Sequence, residues 1–486
     1  MIKKTNQDEI ESFLVDASNY KGNCDVVYFP ESEDEIISII KEANTNKIPV
    51  TVAGNGTGLT GARVPDSGIV ISTEKLNQII EINREENFII VETGVILSTM
   101  LEKLKEQNLL YPPDPTEQNC FIGATIATNA SGAKTFKYGP TRDYVLSLTI
   151  ILPTGDEIEL ERGKCFSVNN KLTLLTKEKK SIDVVIPNIE MPKTKNASGY
   201  FIKENMDAID LFIGSEGTLG IITKAKLKVL PSPINTLSCV VFFEKEEDGI
   251  NFVSKSRELS RLNENNFSAR ALEFFDRKAL QFLKDDFNEI DNSASCAVWF
   301  EQEITSDNED ALTEEWFNLI EQCNGKSDNI WVAMQEVDKM RIKEFRHAIS
   351  YKVNEYISRN NFRKLGTDVA VPDDVFSDFY FYCQSLVAES GIDSVCYGHF
   401  GNSHIHLNML PKSDDEFLHG KSLYKNICEK AVELKGTVSA EHGIGKIKTD
   451  YLLMMFGVEG VNKMREIKKI LDPNYILGRG TMFTPD

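Results

Sequence analysis

The chain has 486 residues, 41% hydrophobic and 26% charged, a globular composition that excludes wholesale disorder and is long enough for two or three domains. Its 54 Lys and Arg against 74 Asp and Glu leave a net charge of −20, which argues against nucleic acid and anionic membrane surfaces as partners. No apolar run approaches the roughly 18 to 20 residues of a membrane span, residues 1–10 carry no apolar signal core, and nine cysteines at least 13 positions apart exclude CxxC metal sites and suit reduced thiols, so a cytoplasmic protein is expected.

Ser32-Glu33-Asp34-Glu35 reads as a capping box ahead of Ile36, Ile40 and Ala43 at helical spacing, which predicts a helix to about residue 46. Strand-like runs follow at 49–53, 69–72 and 88–92, then a helical stretch at 96–107. A second β-rich stretch comprises 145–152 and 157–160, joined by the turn Pro153-Thr154-Gly155-Asp156, with a return at 221–230. Pro231-Ser232-Pro233 is the expected boundary between domains 1–231 and 232–486, because the glycine-rich loops precede it and all six histidines follow it. Beyond it, helices are expected at 271–284, 309–322 and 337–359, and strands at 238–243, 297–301 and within 394–409. The fold class is α+β.

Residues 56, 58 and 61 form a GxGxxG directly after a strand, but Ala62-Arg63-Val64-Pro65 cannot open the helix that a Rossmann dinucleotide site needs. What remains is a loop of Gly54, Gly56, Gly58 and Gly61, with Asn55, Thr57, Leu59 and Thr60 between them, whose backbone N–H groups can nest a pyrophosphate. Two further loops share this character: 123–132, following Pro112-Pro113-Asp114-Pro115-Thr116, and 214–223. Neither GKS triplet has the preceding glycine of a P-loop.

His399, His404 and His406 fall within eight residues, Glu441-His442 lies downstream, and strand alternation puts His404, His406 and Asn408 on one face. Two imidazoles and a carboxylate suit a catalytic Zn²⁺ or Mn²⁺ with open positions, so this group is read as a metal site.

The three glycine loops, in this order, resemble the FAD-binding domain of the vanillyl-alcohol oxidase and p-cresol methylhydroxylase (PCMH) superfamily, in the branch of FAD-linked D-2-hydroxyacid dehydrogenases, from about Val26 to the C-terminus. The resemblance implies a two-subdomain PCMH-type FAD domain followed by an α+β substrate domain, with a C-terminal segment returning to the flavin. It carries FAD contacts onto Pro49, Gly54, Asn55, Gly56, Thr57, Gly58, Leu59, Thr60, Gly61, Pro115, Thr116, Gly123, Ala124, Thr128, Asn129, Ser131, Gly132, Glu216, Gly217, Gly220, Ile221 and Ile222. Since the first histidine is His347, beyond the whole flavin domain, noncovalent FAD is expected unless a cysteine or tyrosine supplies the link.

The histidine segment resembles the family pattern GHxGDGNxHxN followed by Glu-His. That carries the metal onto His399, His406 and Glu441 and the catalytic base onto His442, with Asn408 beside the substrate. Asn402, Ser403 and His404 depart from Asp-Gly-Asn, leaving His404 as either an extra ligand or a polar substitute, and Gly478-Arg479-Gly480 departs from Asn-Pro-Gly. Arg346 resembles the family arginine that pairs with the substrate carboxylate, a task suited to its planar fork.

The resemblance thus implies oxidation of a D-2-hydroxy acid to a 2-oxo acid. Electrons would pass to an electron-transfer flavoprotein, a quinone or a cytochrome; a homodimer stays open. Relatives that act on D-2-hydroxyglutarate carry a lysine where Gly366 stands, so D-lactate is expected, with Lys364 or Arg363 as the alternative cation for a dicarboxylate. A non-redox enzyme of the alkyl-dihydroxyacetonephosphate synthase type and a flavin-binding protein with a decayed metal site are the rival readings.

Overall fold

The computed structural model describes residues 1–262 and 266–484, and these build three large sheets and two two-stranded ones that match the expected α+β class. The first sheet runs Ile2–Lys4, Val26–Phe29, Ile69–Ser72, Val50–Ala53, the last three parallel. The helix Glu33–Asn46 covers it: Ser32 caps the N-terminus by accepting from Glu35 N at 3.3 Å, and Ile36, Ile39, Ile40 and Ala43 are buried. Residues 54–68, between two of these strands, contain no helix, which bears out the rejection of a Rossmann turn.

The second sheet is antiparallel, in the order Ile79–Asn83, Phe88–Glu92, Ile221–Lys228, Val145–Ile151, Glu157–Glu161. Inserting Ile221–Lys228 between strands from much earlier in the chain brings the third glycine loop against the second: Glu216 N donates to Ala127 O at 2.8 Å and Gly214 N to Ile126 O at 3.0 Å.

The third sheet contains Trp331–Ala333, Asn235–Phe243, Cys296–Ile304, Ala269–Asp276, Ser394–Gly398, His404–Met409 and Leu365–Gly366 in that spatial order, with Val369–Ala370 also pairing to His404–Met409. One expectation fails here. The helix predicted at 271–284 is the strand Ala269–Asp276 followed by a helix only at Arg277–Leu283. All eight strand residues are buried, so apolar side chains occupy both faces and the period-2 signal disappears. The run 394–409 divides at a short turn into Ser394–Gly398 and His404–Met409. Helices Glu309–Gln322 and Glu336–Arg359 lie where expected; Glu246–Arg261, Asp414–Glu433 and Thr449–Leu471 add to them.

The chain then returns to its start. Val50 N donates to Ile476 O at 2.7 Å and Gly478 N to Val50 O at 2.9 Å, so residues 476–478 extend the first sheet beside Val50. Among the described residues, no helix is long and apolar enough to cross a membrane.

Candidate active site

The three glycine loops converge. Gly54, Gly123, Ala124, Gly217, Gly220 and Ile222 line one cleft together with Thr128, Glu216, Thr73, Thr93 and Arg63. Much of this wall is bare backbone, which allows close approach by a flat or extended ligand. Arg63 Nε is buried there with no hydrogen-bond partner, so the cleft presents an unmet donor as well as glycine surface. An anionic dinucleotide fits both features.

The other loop residues named from the sequence have varied surroundings. Pro49 O accepts from Ile69 N at 2.8 Å, Asn55 Nδ2 donates to Asn119 O at 2.7 Å, and Gly61 N donates to Asp16 Oδ2 at 2.9 Å. Thr60 O accepts from Lys446 N at 2.8 Å, and a Cβ on Gly445 would stand 2.1 Å from that same carbonyl, so only glycine lets the 441–448 segment meet the first loop. Asn129 Oδ1 accepts from Arg142 N at 3.0 Å, and Ile221 is buried in the core of the first sheet and its helix. A Cβ on Gly132 would strike Asp114 O at 1.9 Å, which fixes the second loop against the Pro112–Thr116 turn.

The imidazoles gather at the end of the third sheet. One ligand atom each from His399, His404, His406 and Glu441 lie within 4.8 Å of one another. His399 Nε2 is 3.2 Å from Glu441 Oε1, and His406 Nε2 is 3.6 Å from Oε2. On the far side of each ring stands a group that can only accept: Glu273 Oε1 at 2.6 Å from His399 Nδ1, and Thr367 O at 3.2 Å from His406 Nδ1. Each Nδ1 is thereby committed to an acceptor, so a cation seated between the rings and Glu441 would meet an Nε2 from each. This donor set fits a divalent cation.

His404 is arranged differently. Its fully buried ring places Nε2 3.0 Å from Asp368 Oδ1 and Nδ1 3.5 Å from the Lys195 ammonium, which also contacts Glu441. Asp368 is the hub of the site: it accepts from Ser439 Oγ at 2.6 Å, His442 N at 3.0 Å, Glu441 N at 3.2 Å and Lys448 Nζ at 3.0 Å. Burial opposes its ionisation, but His442 and Lys448 hold its carboxyl well below the ordinary aspartate range. His442 Nδ1 lies 3.3 Å from Asp368 Oδ2, and its side chain is still 28% exposed. Burial pushes this imidazole down to about 4 against the pull of Asp368, so at neutral pH it is an uncharged base.

Arg346, on the helix Glu336–Arg359, sits at the junction of the two regions. Its Nη1 donates to Thr116 Oγ1 at 3.1 Å, and its Nε is 3.5 Å from Glu273 Oε2, the carboxylate that also holds His399. Asn408 is buried, with Nδ2 donating to His406 O at 3.2 Å. Ser131 Oγ, from the second glycine loop, donates to Glu441 Oε1 at 3.2 Å. Glu216, from the third, accepts from Ile444 N and Gly445 N at 2.7 Å each. Asp368, Glu273, Lys195 and Lys448 carry no chemical motif in the sequence and join the site through tertiary contacts alone.

Two family models cover most of this architecture: the FAD binding domain matches residues 24–161 and the C-terminal domain of FAD linked oxidases matches residues 235–482. The chain belongs to the FAD-linked oxidase family. The resemblance drawn from the glycine loops and the histidine segment is borne out. Among relatives of this FAD-linked oxidase, a D-lactate dehydrogenase of Anaerostipes hadrus is 31% identical, covering 97% of this chain and 93% of that protein. A D-2-hydroxyglutarate dehydrogenase of Xanthomonas citri is 27% identical over 99% of this chain and 94% of the relative. A solved alkyldihydroxyacetonephosphate synthase shares the fold, with a TM-score of 0.70 at 16% identity, covering 98% of this chain and 81% of that one.

Proposed function

We propose that this FAD-linked oxidase oxidises a D-2-hydroxy acid to the 2-oxo acid and passes the electrons to a separate acceptor. The observation that carries the reading is an uncharged His442, held by Asp368, beside two imidazoles whose Nε2 atoms converge on Glu441, next to a cleft suited to FAD. In this reading residues 1–231 hold FAD without a covalent bond, and 232–486 supply the substrate site. His399, His406 and Glu441 would hold a divalent metal, Zn²⁺ or Mn²⁺. When bound, FAD supplies a two-electron acceptor and the metal supplies Lewis acidity at the substrate hydroxyl.

The protein's own groups do the rest. Arg346 binds the substrate carboxylate through its fork, and Glu273 and Thr116 fix the plane of that fork. Asp368 holds the Nδ1–H tautomer of His442, and His442 Nε2 takes the hydroxyl proton as general base. Asn408 orients the same end of the substrate, and His404 braces Asp368 as a polar support.

D-lactate is the favoured substrate. Gly366 offers no side chain for a second carboxylate, and Lys364 Nζ is already engaged with Asn354 Oδ1 at 2.9 Å. One observation favours D-2-hydroxyglutarate instead: Lys364 Cε lies 3.9 Å from where a Cβ on Gly366 would be, so its ammonium can swing over that gap. Anaerobic flavin reduction with a panel of D- and L-2-hydroxy acids tests the activity, and kcat/KM for the two D-acids ranks them. Failure of every 2-hydroxy acid to bleach the flavin would reject the dehydrogenase reading. Flavin colour retained in an acid-precipitated pellet would reject noncovalent binding.

A further inference from the structure

We propose that Arg63 holds the diphosphate of the bound FAD. Arg63 follows the first glycine loop and lines the flavin cleft beside Gly54, Gly123 and Gly217, whereas Arg346 and His442 are not on that wall. Among the described residues, Arg63 and Glu216 are the charged side chains lining the cleft, and Glu216 is turned to the backbone N–H groups of residues 444 and 445.

The guanidinium is held from behind. Nη2 donates to Ser12 O at 3.1 Å, and the guanidinium carbon lies 5.1 Å from the centre of the Phe13 ring. Nη1 lies against the bare backbone of Gly56, where a Cβ would stand 2.3 Å from it; with φ at +78° this position favours glycine. Nε is buried and unpaired. Among the described residues no carboxylate stands within 4.0 Å of the guanidinium; the nearby Asp16 spends its Oδ2 on Gly61 N at 2.9 Å. A partly buried cation with no direct ion pair, offset only by the more distant Asp16, is costly to desolvate, and an anion in the cleft would offset that cost.

The charge of the whole chain makes the same demand. A net charge of −20 repels a diphosphate, and backbone N–H groups bring only partial charges against it. A planar guanidinium can meet two phosphate oxygens at once, and its support by Ser12 and Phe13 fixes its plane before the ligand arrives.

The test follows release of FAD fluorescence after dilution of the full-length holoprotein at low and high ionic strength, in wild type, Arg63→Gln and Arg63→Lys. Losing a charge-assisted pair should speed release from Arg63→Gln about ten- to a hundred-fold. Salt should speed release from wild type and leave Arg63→Gln nearly unaffected, with Arg63→Lys between the two. Unchanged release from Arg63→Gln overturns the assignment, as does equal release from the Gln and Lys variants with the salt response of wild type retained. Should Arg63→Gln not fold, wild-type release that is indifferent to salt, or Arg63→Lys release equal to wild type at both salts, overturns it. A wild-type protein that purifies without FAD would instead overturn the cofactor reading itself.

Discussion

The flavin cleft and the imidazole cluster meet at Glu441 and are built on opposite principles. The cleft is made by absence: Gly54, Gly123, Gly217 and Gly220 withdraw side chains so that backbone becomes the binding surface. The cluster is made by accumulation, with Glu273, Arg346, Asp368, His399, His404, His406, Glu441 and Lys448 packed into hydrogen-bonded contact. A surface of backbone has few side chains to lose. A network of buried charges has many, and each partner removed leaves another uncompensated.

The sharpest way to break this contrast is at His442. His442→Ala should keep FAD and metal yet slow flavin reduction by about 10² to 10⁴-fold in stopped-flow measurements. His406→Ala should lose the metal; equal metal content in the two variants would erase the division between base and ligand.

Next in size is Asp368→Asn, which strands Lys448 in the interior. A loss of about 3 to 5 kcal/mol in urea unfolding is expected. Adding Lys448→Met should recover much of it, since the stranded charge is then gone.

Glu216 belongs to both regions, lining the cleft while its carboxylate holds the 444–445 backbone. Burial raises its pKa to about 7 despite those two N–H donors, so the folded protein binds this proton more tightly than the unfolded chain. Its stabilising contribution is complete below about pH 4.5 and is lost as pH rises through 7. Glu216→Gln cannot ionise, so its stability relative to wild type should rise by up to about 3 kcal/mol between pH 4.5 and pH 8. A constant difference across that range would refute a neutral Glu216.

The smallest effect is expected at Glu273→Gln. Metal affinity should fall about 10 to 100-fold through His399, with KM raised through Arg346 and far-UV circular dichroism unchanged. A change in metal affinity with no change in KM would cut the link between the two halves of the site.

The same contrast decides what could be read from the chain. The cleft was legible because each loop is a contiguous run of small residues with a distinctive spacing, as in 54–61 and 123–132. His399, His406, Glu441 and His442 were legible as an unusual local density of chemistry. Asp368 is not, being one carboxylate between Thr367 and Val369, and neither is Glu273, inside a buried strand whose apolar spacing predicts a helix. Lys195 lies 246 positions from the carboxylate it contacts. Partners at such separation leave no mark on local sequence. The alternating strands Lys171–Leu175 and Ser181–Val185 are masked for another reason: the lysine-rich turn between them lacks the glycine or proline that announces a hairpin.

The pairing of Val50 with residues 476–478 bears on how these proteins can be recombined. The strand that leads into the first glycine loop borrows its outer neighbour from 426 positions away, so the flavin half is not a detachable bead. A chimera that takes residues 232–486 from a relative also replaces the edge of the recipient's own first sheet. Exchanges that keep residues 472–484 with the flavin half should preserve the cleft, which makes the natural seam of this fold run through two places in the chain rather than one.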